Sequence, residues 1–219
     1  LLVKRDFNGD AKKYEAAVSD DGKLLVAIDT SADEGIIMEL RARTLSATVQ
    51  RMRKSAGLVV EDEVEVYYEE MVGGKGKAGD VAEALRRFAE PTIKRIRSLP
   101  LPAALMPPCH SLVHSEVIKD ADLSAHPVRV TLIRPTVGVN TASEDVIKLC
   151  GAGGASPATV AMFVQTKDAA DVLASSLLTL SVGGSTIDLK KNTHYFESTK
   201  DMCLAIPSLR TEHNLPDQL

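Results

Sequence analysis

The chain has 219 residues, 44% of them hydrophobic and 26% charged, with a formal net charge of −4 at pH 7. Those figures fit one or two globular domains whose core is mainly Leu, Val, Ile and Ala, since aromatics make up only 4% and there is no Trp. They leave no run of about 18 apolar residues for a membrane helix, no disulfide framework among three widely spaced cysteines, and no bulk positive charge for a nucleic acid. A cytoplasmic location follows as the expectation, and any contact with nucleic acid has to rest on local basic patches.

The opening LLVKRDF carries neither an initiator methionine nor a signal-peptide pattern, and reads as a position inside a longer protein. Residues 14–30 predict two strands joined at Asp20-Asp21-Gly22, a strong hairpin signal between apolar runs. Ser31 and Glu34 have the spacing of a capping box at a helix start. Met38, Ala42, Leu45, Val49, Met52 and Ala56 then recur at four-three spacing and predict one buried helix face. Gly57 marks the stop. The basic end of that helix, Arg51, Arg53 and Lys54, suits its dipole by roughly 0.3–1 kcal/mol per charge. In the next stretch Val64, Val66 and Tyr68 alternate with Glu63, Glu65 and Tyr67, which predicts a strand with the second set facing water.

GGKGKAG at 73–79 reads as a flexible link to a second helix, which Asp80 and Glu83 would cap. Val81, Leu85, Phe88 and Ile96 share one face of it, and Arg86, Arg87, Lys94 and Arg97 lie on the outer one. Pro91 should kink or split this helix, and the prolines at 100, 102, 107 and 108 end it. Strands are expected at 112–118 and 128–133. Beyond Pro135 the chain is poorer in charge and richer in Ser, Thr, Gly and Ala. There the pattern predicts a helix at 143–150, a strand at 159–164, a helix at 168–178, short strands at 185–189 and 202–206, and a loose tail at 207–219. The fold class expected is α+β: two small mixed domains, 1–135 and 136–206, each a short sheet packed against one or two helices.

Several motifs invite chemistry without carrying it. GAGGAS at 151–156 and GGKGK at 73–77 both depart from the G-x-x-x-x-G-K-[ST] pattern of a phosphate loop. Cys109, His110 and His114, with Glu116 nearby, lack a fourth ligand at a zinc spacing, and nothing in the spacing orients His110 for thiol chemistry. No catalytic or metal-ligating residue is assigned.

The run DGKLLVAIDT followed by ELRARTLSATVQRMRKSAGLVVEDEVEV resembles the C-terminal region of isoleucyl-tRNA synthetases. There the stretch reads D-G-x-x-V-x-x-D-T, then E-G-x-A-R-E-x-x-R-x-[IV]-Q-x-x-R-K-x-x-G-L-x-x-x-D-x-[IV]. Asp21, Gly22, Asp29, Thr30, Glu39, Ala42, Arg43, Val49, Gln50, Arg53, Lys54, Gly57, Leu58 and Asp62 fit it. Leu40, Thr44 and Ala47 depart from it. Residues 51–55, RMRKS, also look like the K-M-S-K-S loop of class I synthetases, but Met52 belongs to the buried stripe and an ATP-holding loop must be exposed. Past Pro135 the chain is similar in kind to the appended C-terminal modules of eukaryotic cytosolic enzymes, which implies a small, ubiquitin-like or related α/β unit.

The resemblance implies a parent class I ligase that uses ATP and Mg to activate isoleucine and charge its tRNA. The H-I-G-H signature of its catalytic domain is not in this sequence, so this region is expected to be non-catalytic, to hold no cofactor, and to assist binding of the anticodon end of tRNA(Ile). Its candidate contacts are Arg43, Arg51, Arg53, Lys54, Tyr67, Arg86, Arg87, Lys94 and Arg97: basic helix faces to follow phosphates, and a tyrosine to stack on an unpaired base. The same residues also fit solvated helix faces and a surface tyrosine. The alternative function is a protein–protein interaction module, with 136–206 docking on another synthetase or a second copy. Neither membrane nor DNA is an expected partner.

Overall fold

The computed structural model describes residues 7–72, 79–182 and 184–216. Residues 73–78 of the expected link, with the GGKGK motif, and 217–219 of the expected tail lie outside the described residues. By their contacts the residues fall into two units, 1–37 and 38–219.

The first unit holds the hairpin. Strand β1 (Tyr14–Val18) pairs antiparallel with β2 (Leu25–Asp29), Tyr14 opposite Asp29 and Val18 opposite Leu25. Ser19 closes the turn: its carbonyl accepts the Gly22 amide at 2.8 Å and its hydroxyl accepts the Leu24 amide at 3.0 Å. Gly22, at φ 68°, supplies the left-handed residue that this geometry requires. Helix α1 (Glu34–Ser55) starts on Asp33, whose carboxylate accepts the Ile36 amide at 2.8 Å. Ser31 turns back to Asp29 instead, so the cap falls two residues later than the capping-box spacing suggests.

From Met38 onward α1 belongs to the second unit, where Met38, Ala42, Leu45, Val49 and Met52 of the expected stripe are buried, while Ala56, its last member, lies past the helix end and is half-buried. Its C-terminus closes with the Leu58 amide on the Arg53 carbonyl and Gly57 at φ 70°, a left-handed exit. The four-stranded sheet has the order β4-β3-β6-β5, from β3 (Glu65–Glu70), β4 (Pro100–Pro102), β5 (Leu112–Ile118) and β6 (Val128–Ile133). Only the β3–β4 pair is parallel. One face of the sheet joins α1 in a core of Leu45, Val49, Met52, Val66, Tyr68, Val130 and Leu132.

Strand β3 departs from expectation on its other face. Glu65 and Tyr67, expected in water, are 5% and 0% exposed. The covering residues come from far along the chain, with Cys203 and Leu215 joining Leu99, Leu101 and Ile133 around Tyr67. A local alternation cannot reveal a second layer supplied 135 residues later.

The second helix splits as Pro91 suggests, into α2 (Asp80–Arg87) and α3 (Ala89–Ile96), but at Phe88. Pro91 thereby sits in the first turn of α3, where its missing N–H costs nothing. The cap expected from Asp80 and Glu83 comes from Glu70, whose carboxylate accepts the Gly79 amide at 3.2 Å and the Val81 amide at 2.7 Å. Asp80 pairs with Arg41 at 2.9 Å.

Beyond Pro135 follow β7 (Gly138–Val139), α4 (Glu144–Ala152), α5 (Pro157–Gln165), α6 (Ala169–Ala174), β8 (Leu177–Val182), β9 (Ser185–Lys190), β10 (Tyr195–Phe196), α7 (Thr199–Ala205) and α8 (Pro207–Glu212). The expected strand at 159–164 is helix α5, and the expected strand at 202–206 lies largely in α7. The expected helix at 168–178 ends at Ala174 and gives way to strand β8. Residues 207–212 form a helix, and Leu209 and Leu215 are buried, so 207–216 is not a loose tail. A second core of residues 137–195, among them Val146, Val160, Val164, Leu180 and Leu189, lies under these elements. The architecture is α+β, with small separate sheets.

Candidate nucleic-acid interface

Two helices, α1 and α3, end side by side. The Gln50 side chain donates to the Arg95 carbonyl at 3.2 Å and ties α1, about one turn before its end, to the last turn of α3. Both helices finish on basic residues, as their dipoles favour: Arg53 and Lys54 on α1, Lys94 and Arg95 on α3. Between them lies a cleft of about 370 Å³ lined by Arg53, Lys54, Arg95 and Arg97 and walled by Val59, Val60 and Ile96. Among the described residues, none that lines it is acidic.

Arg53 lines the cleft and also braces its loop. Its guanidinium donates to the carbonyls of Val59 at 2.9 Å and Asp62 at 2.8 Å, which clips the 57–62 loop against the helix end. The Asp62 carboxylate completes that loop by accepting the Val59 amide at 2.8 Å and pairing with Arg134 at 3.1 Å. The Val59 amide and the Arg134 guanidinium hold its pKa below the ordinary range. The loop in turn presents Val59 and Val60, 60% and 59% exposed. Among the described residues, Lys54, Arg95 and Arg97 have no carboxylate within ion-pair distance. Arg97 is also held in the left-handed region, at φ 55°.

The remaining candidates are dispersed. Arg43 pairs with Glu39 on its own helix. Arg51 makes a bidentate pair with Glu116 on β5, at 2.9 and 3.0 Å. Arg86 and Arg87 both bind Glu83, at 2.8 and 2.7 Å, and their hydrogen bonds push its pKa down to about 2. Lys94 is exposed but does not line the cleft. Tyr67 corrects the expectation most sharply: its ring is fully buried and its hydroxyl donates to Glu65 at 2.8 Å, so it presents no stacking face. Burial raises the Glu65 pKa, against the opposing effect of that bond and of the Lys200 amide at 3.3 Å. The structure therefore gathers Arg53, Lys54 and Arg97 into one place and leaves the other six apart. Arg95 joins them, from outside the candidates that the sequence pattern offers. A helical wheel run unbroken from 80 to 97 carries the wrong phase past the break at Phe88.

Around Cys109 the His110 ring bonds the Pro107 carbonyl at 2.7 Å, and the Cys109 amide donates to Gln165 at 3.2 Å. Cys203 is buried, which pushes its thiol up to about 12. No three His, Cys, Asp or Glu side chains gather around a metal position among the described residues. No single helix among them is long and apolar enough to cross a membrane.

No family profile matches the chain. In sequence it is similar to part of an aminoacyl-tRNA ligase. Over 140 residues it is 28% identical to the cytoplasmic isoleucine–tRNA ligase of Arabidopsis thaliana. That stretch covers 60% of this chain but 11% of the enzyme, so the chain spans a small part of its relative's length.

Proposed function

We propose that this chain is a non-catalytic tRNA-binding region of an isoleucine–tRNA ligase in the cytoplasm, assisting the enzyme in holding the anticodon end of tRNA(Ile) during ATP-dependent charging. The similarity to the Arabidopsis enzyme carries this reading. The basic cleft supports it, because cations without carboxylate partners are what a phosphate backbone can engage. ATP and Mg belong, on this reading, to the catalytic part of the ligase. The test is binding of the 219-residue chain to isoleucine tRNA and to an unrelated tRNA across a salt series. Salt-sensitive binding that favours the isoleucine tRNA is the expected result. Equal, weak binding to both sinks the reading for the chain by itself.

A second reading rests on a different surface. Ile147 on α4 and Met162 and Phe163 on α5 are 49%, 46% and 44% exposed in a region poor in charge. These side chains suit contact with a protein, either another synthetase or a second copy. Sedimentation of the chain alone, compared with a variant carrying Ser at Met162 and Phe163, tests self-association: a monomer in both cases removes the second copy from consideration.

A further inference from the structure

The cleft between the ends of α1 and α3 has a shape and a charge pattern that select among forms of RNA. We infer that it takes an unpaired RNA segment of two or three phosphates, with Lys54, Arg95 and Arg97 as the phosphate contacts and the Val59–Val60 loop as the surface against the bases. This rests on the tRNA-binding reading and narrows it to one site and one form of nucleic acid.

Three observations carry the inference. First, the cleft gathers three cations that no glutamate masks. Arg43, Arg51, Arg86 and Arg87 each face a glutamate at ion-pair distance, whereas Lys54, Arg95 and Arg97 face the cleft without one. A duplex is held by a broad run of contacts along its phosphates, typically 6–10 of them, and in this unit Glu39, Glu83 and Glu116 interrupt such a run. Second, the cleft is concave and about 370 Å³, the scale of a small-ligand site. That admits a nucleotide with its phosphates and excludes the width of a helix. Third, the same cleft carries an apolar, exposed stretch at Val59 and Val60. Base faces are free to meet such a surface only when they are unpaired and unstacked.

Arg53 is then a positioning residue. It spends its guanidinium on three carbonyls of the 59–62 loop and holds the apolar wall at its distance from Lys54. Arg95 is a contact, exposed on the last turn of α3 with its carbonyl fixed by Gln50.

The test uses the whole chain and three labelled probes: isoleucine tRNA, an unstructured 12-nucleotide oligouridylate, and a blunt RNA duplex of the same length. Fluorescence anisotropy is followed across a salt series. The oligouridylate should bind, displace tRNA, and show a slope of log K against log salt near −2, since each single-strand contact contributes about 0.7. R95A and K54A should each reduce that slope by about 0.7. R95Q serves as a second variant that keeps most of the side-chain length. R53K should weaken binding while leaving the slope unchanged, because it keeps the charge and loses the clip. A duplex that binds as well as the single strand, or slopes unmoved by R95A and K54A, overturns the inference while tRNA binding stands. Failure of tRNA and oligouridylate alike removes the proposed function together with this site.

Discussion

The ends of α1 and α3 pose one conformational problem and solve it with different residues. Each chain exit passes through the left-handed region, at Gly57 with φ 70° and at Arg97 with φ 55°. Glycine enters that region freely, while a residue with a Cβ is disfavoured there by roughly 1–2 kcal/mol. Arginine at position 97 therefore costs stability and returns a cation at the mouth of the cleft. R97G should raise the unfolding free energy measured in urea, by up to about 1 kcal/mol once the extra freedom of glycine in the unfolded chain is subtracted, and should weaken RNA binding in the same protein. A variant less stable than the parent would show that the position carries no such strain. Glu65 permits a second prediction at this scale. Its pKa is raised by burial, so the folded state holds its proton more tightly than the unfolded chain does. The stability from that proton is complete below the unfolded value, near 4.3, and is lost as pH rises through the folded value. E65Q, which keeps an oxygen for the Tyr67 hydroxyl, should gain on the parent as pH rises from 4 to 7 in urea titrations. A stability difference independent of pH would mean that Glu65 is not titrating in the fold.

Elements were legible where their signal is local and misread where the deciding residue lay at the edge. The α1 stripe, the hairpin and the edges of β5 and β6 follow from spacing alone. Residues 159–164, TVAMFV, have the β-branched and aromatic content of a strand, yet form part of α5 because of what precedes them. Ser156 accepts the Thr159 amide at 3.1 Å and Pro157 opens the first turn. Burial then follows the helical period, with Val160, Ala161 and Val164 inside and Met162 and Phe163 outside. The misread strand at 202–206 has the same cause, since Ser198 caps α7 through the Asp201 amide. S156A should accordingly lower stability by about 1 kcal/mol, within the range of ~0.5–2 for lost caps, with a matching loss of helical circular dichroism confined to one helix's worth of signal. A silent S156A would leave the helical state of 157–165 without a local cause. Of the candidate site, the basic helix ends could be read from the sequence. Their convergence could not, because it depends on the break at Phe88 and on a loop folded back by Arg53.

At the scale of the molecule, the net charge of −4 and the candidate RNA surface are reconciled by local cancellation. Half of the basic residues that looked available as a stripe, Arg43, Arg51, Arg86 and Arg87, are matched by a glutamate on the same helix or, for Arg51, on β5, so the stripes are masked and the cleft is not. Exposed ion pairs of this kind add little to stability, about 0–1 kcal/mol each, and their stronger effect is to mask charge. The two sets of cations should then separate cleanly in tRNA binding. Replacing Lys54, Arg95 and Arg97 together by alanine removes three phosphate contacts, each equivalent at 0.1 M salt to about a 5-fold change in affinity on the single-strand slope, or roughly 100-fold in all. Replacing Arg43, Arg86 and Arg87 together removes as much formal charge but leaves Glu39 and Glu83 without their partners. Simple charge counting predicts equal losses for the two triples. Masking predicts a loss of about 100-fold for the first and a much smaller one for the second, arising from the glutamates set free. Anisotropy titrations with isoleucine tRNA at one fixed salt concentration decide between them, and equal losses would mean that net charge, not the cleft, attracts the RNA.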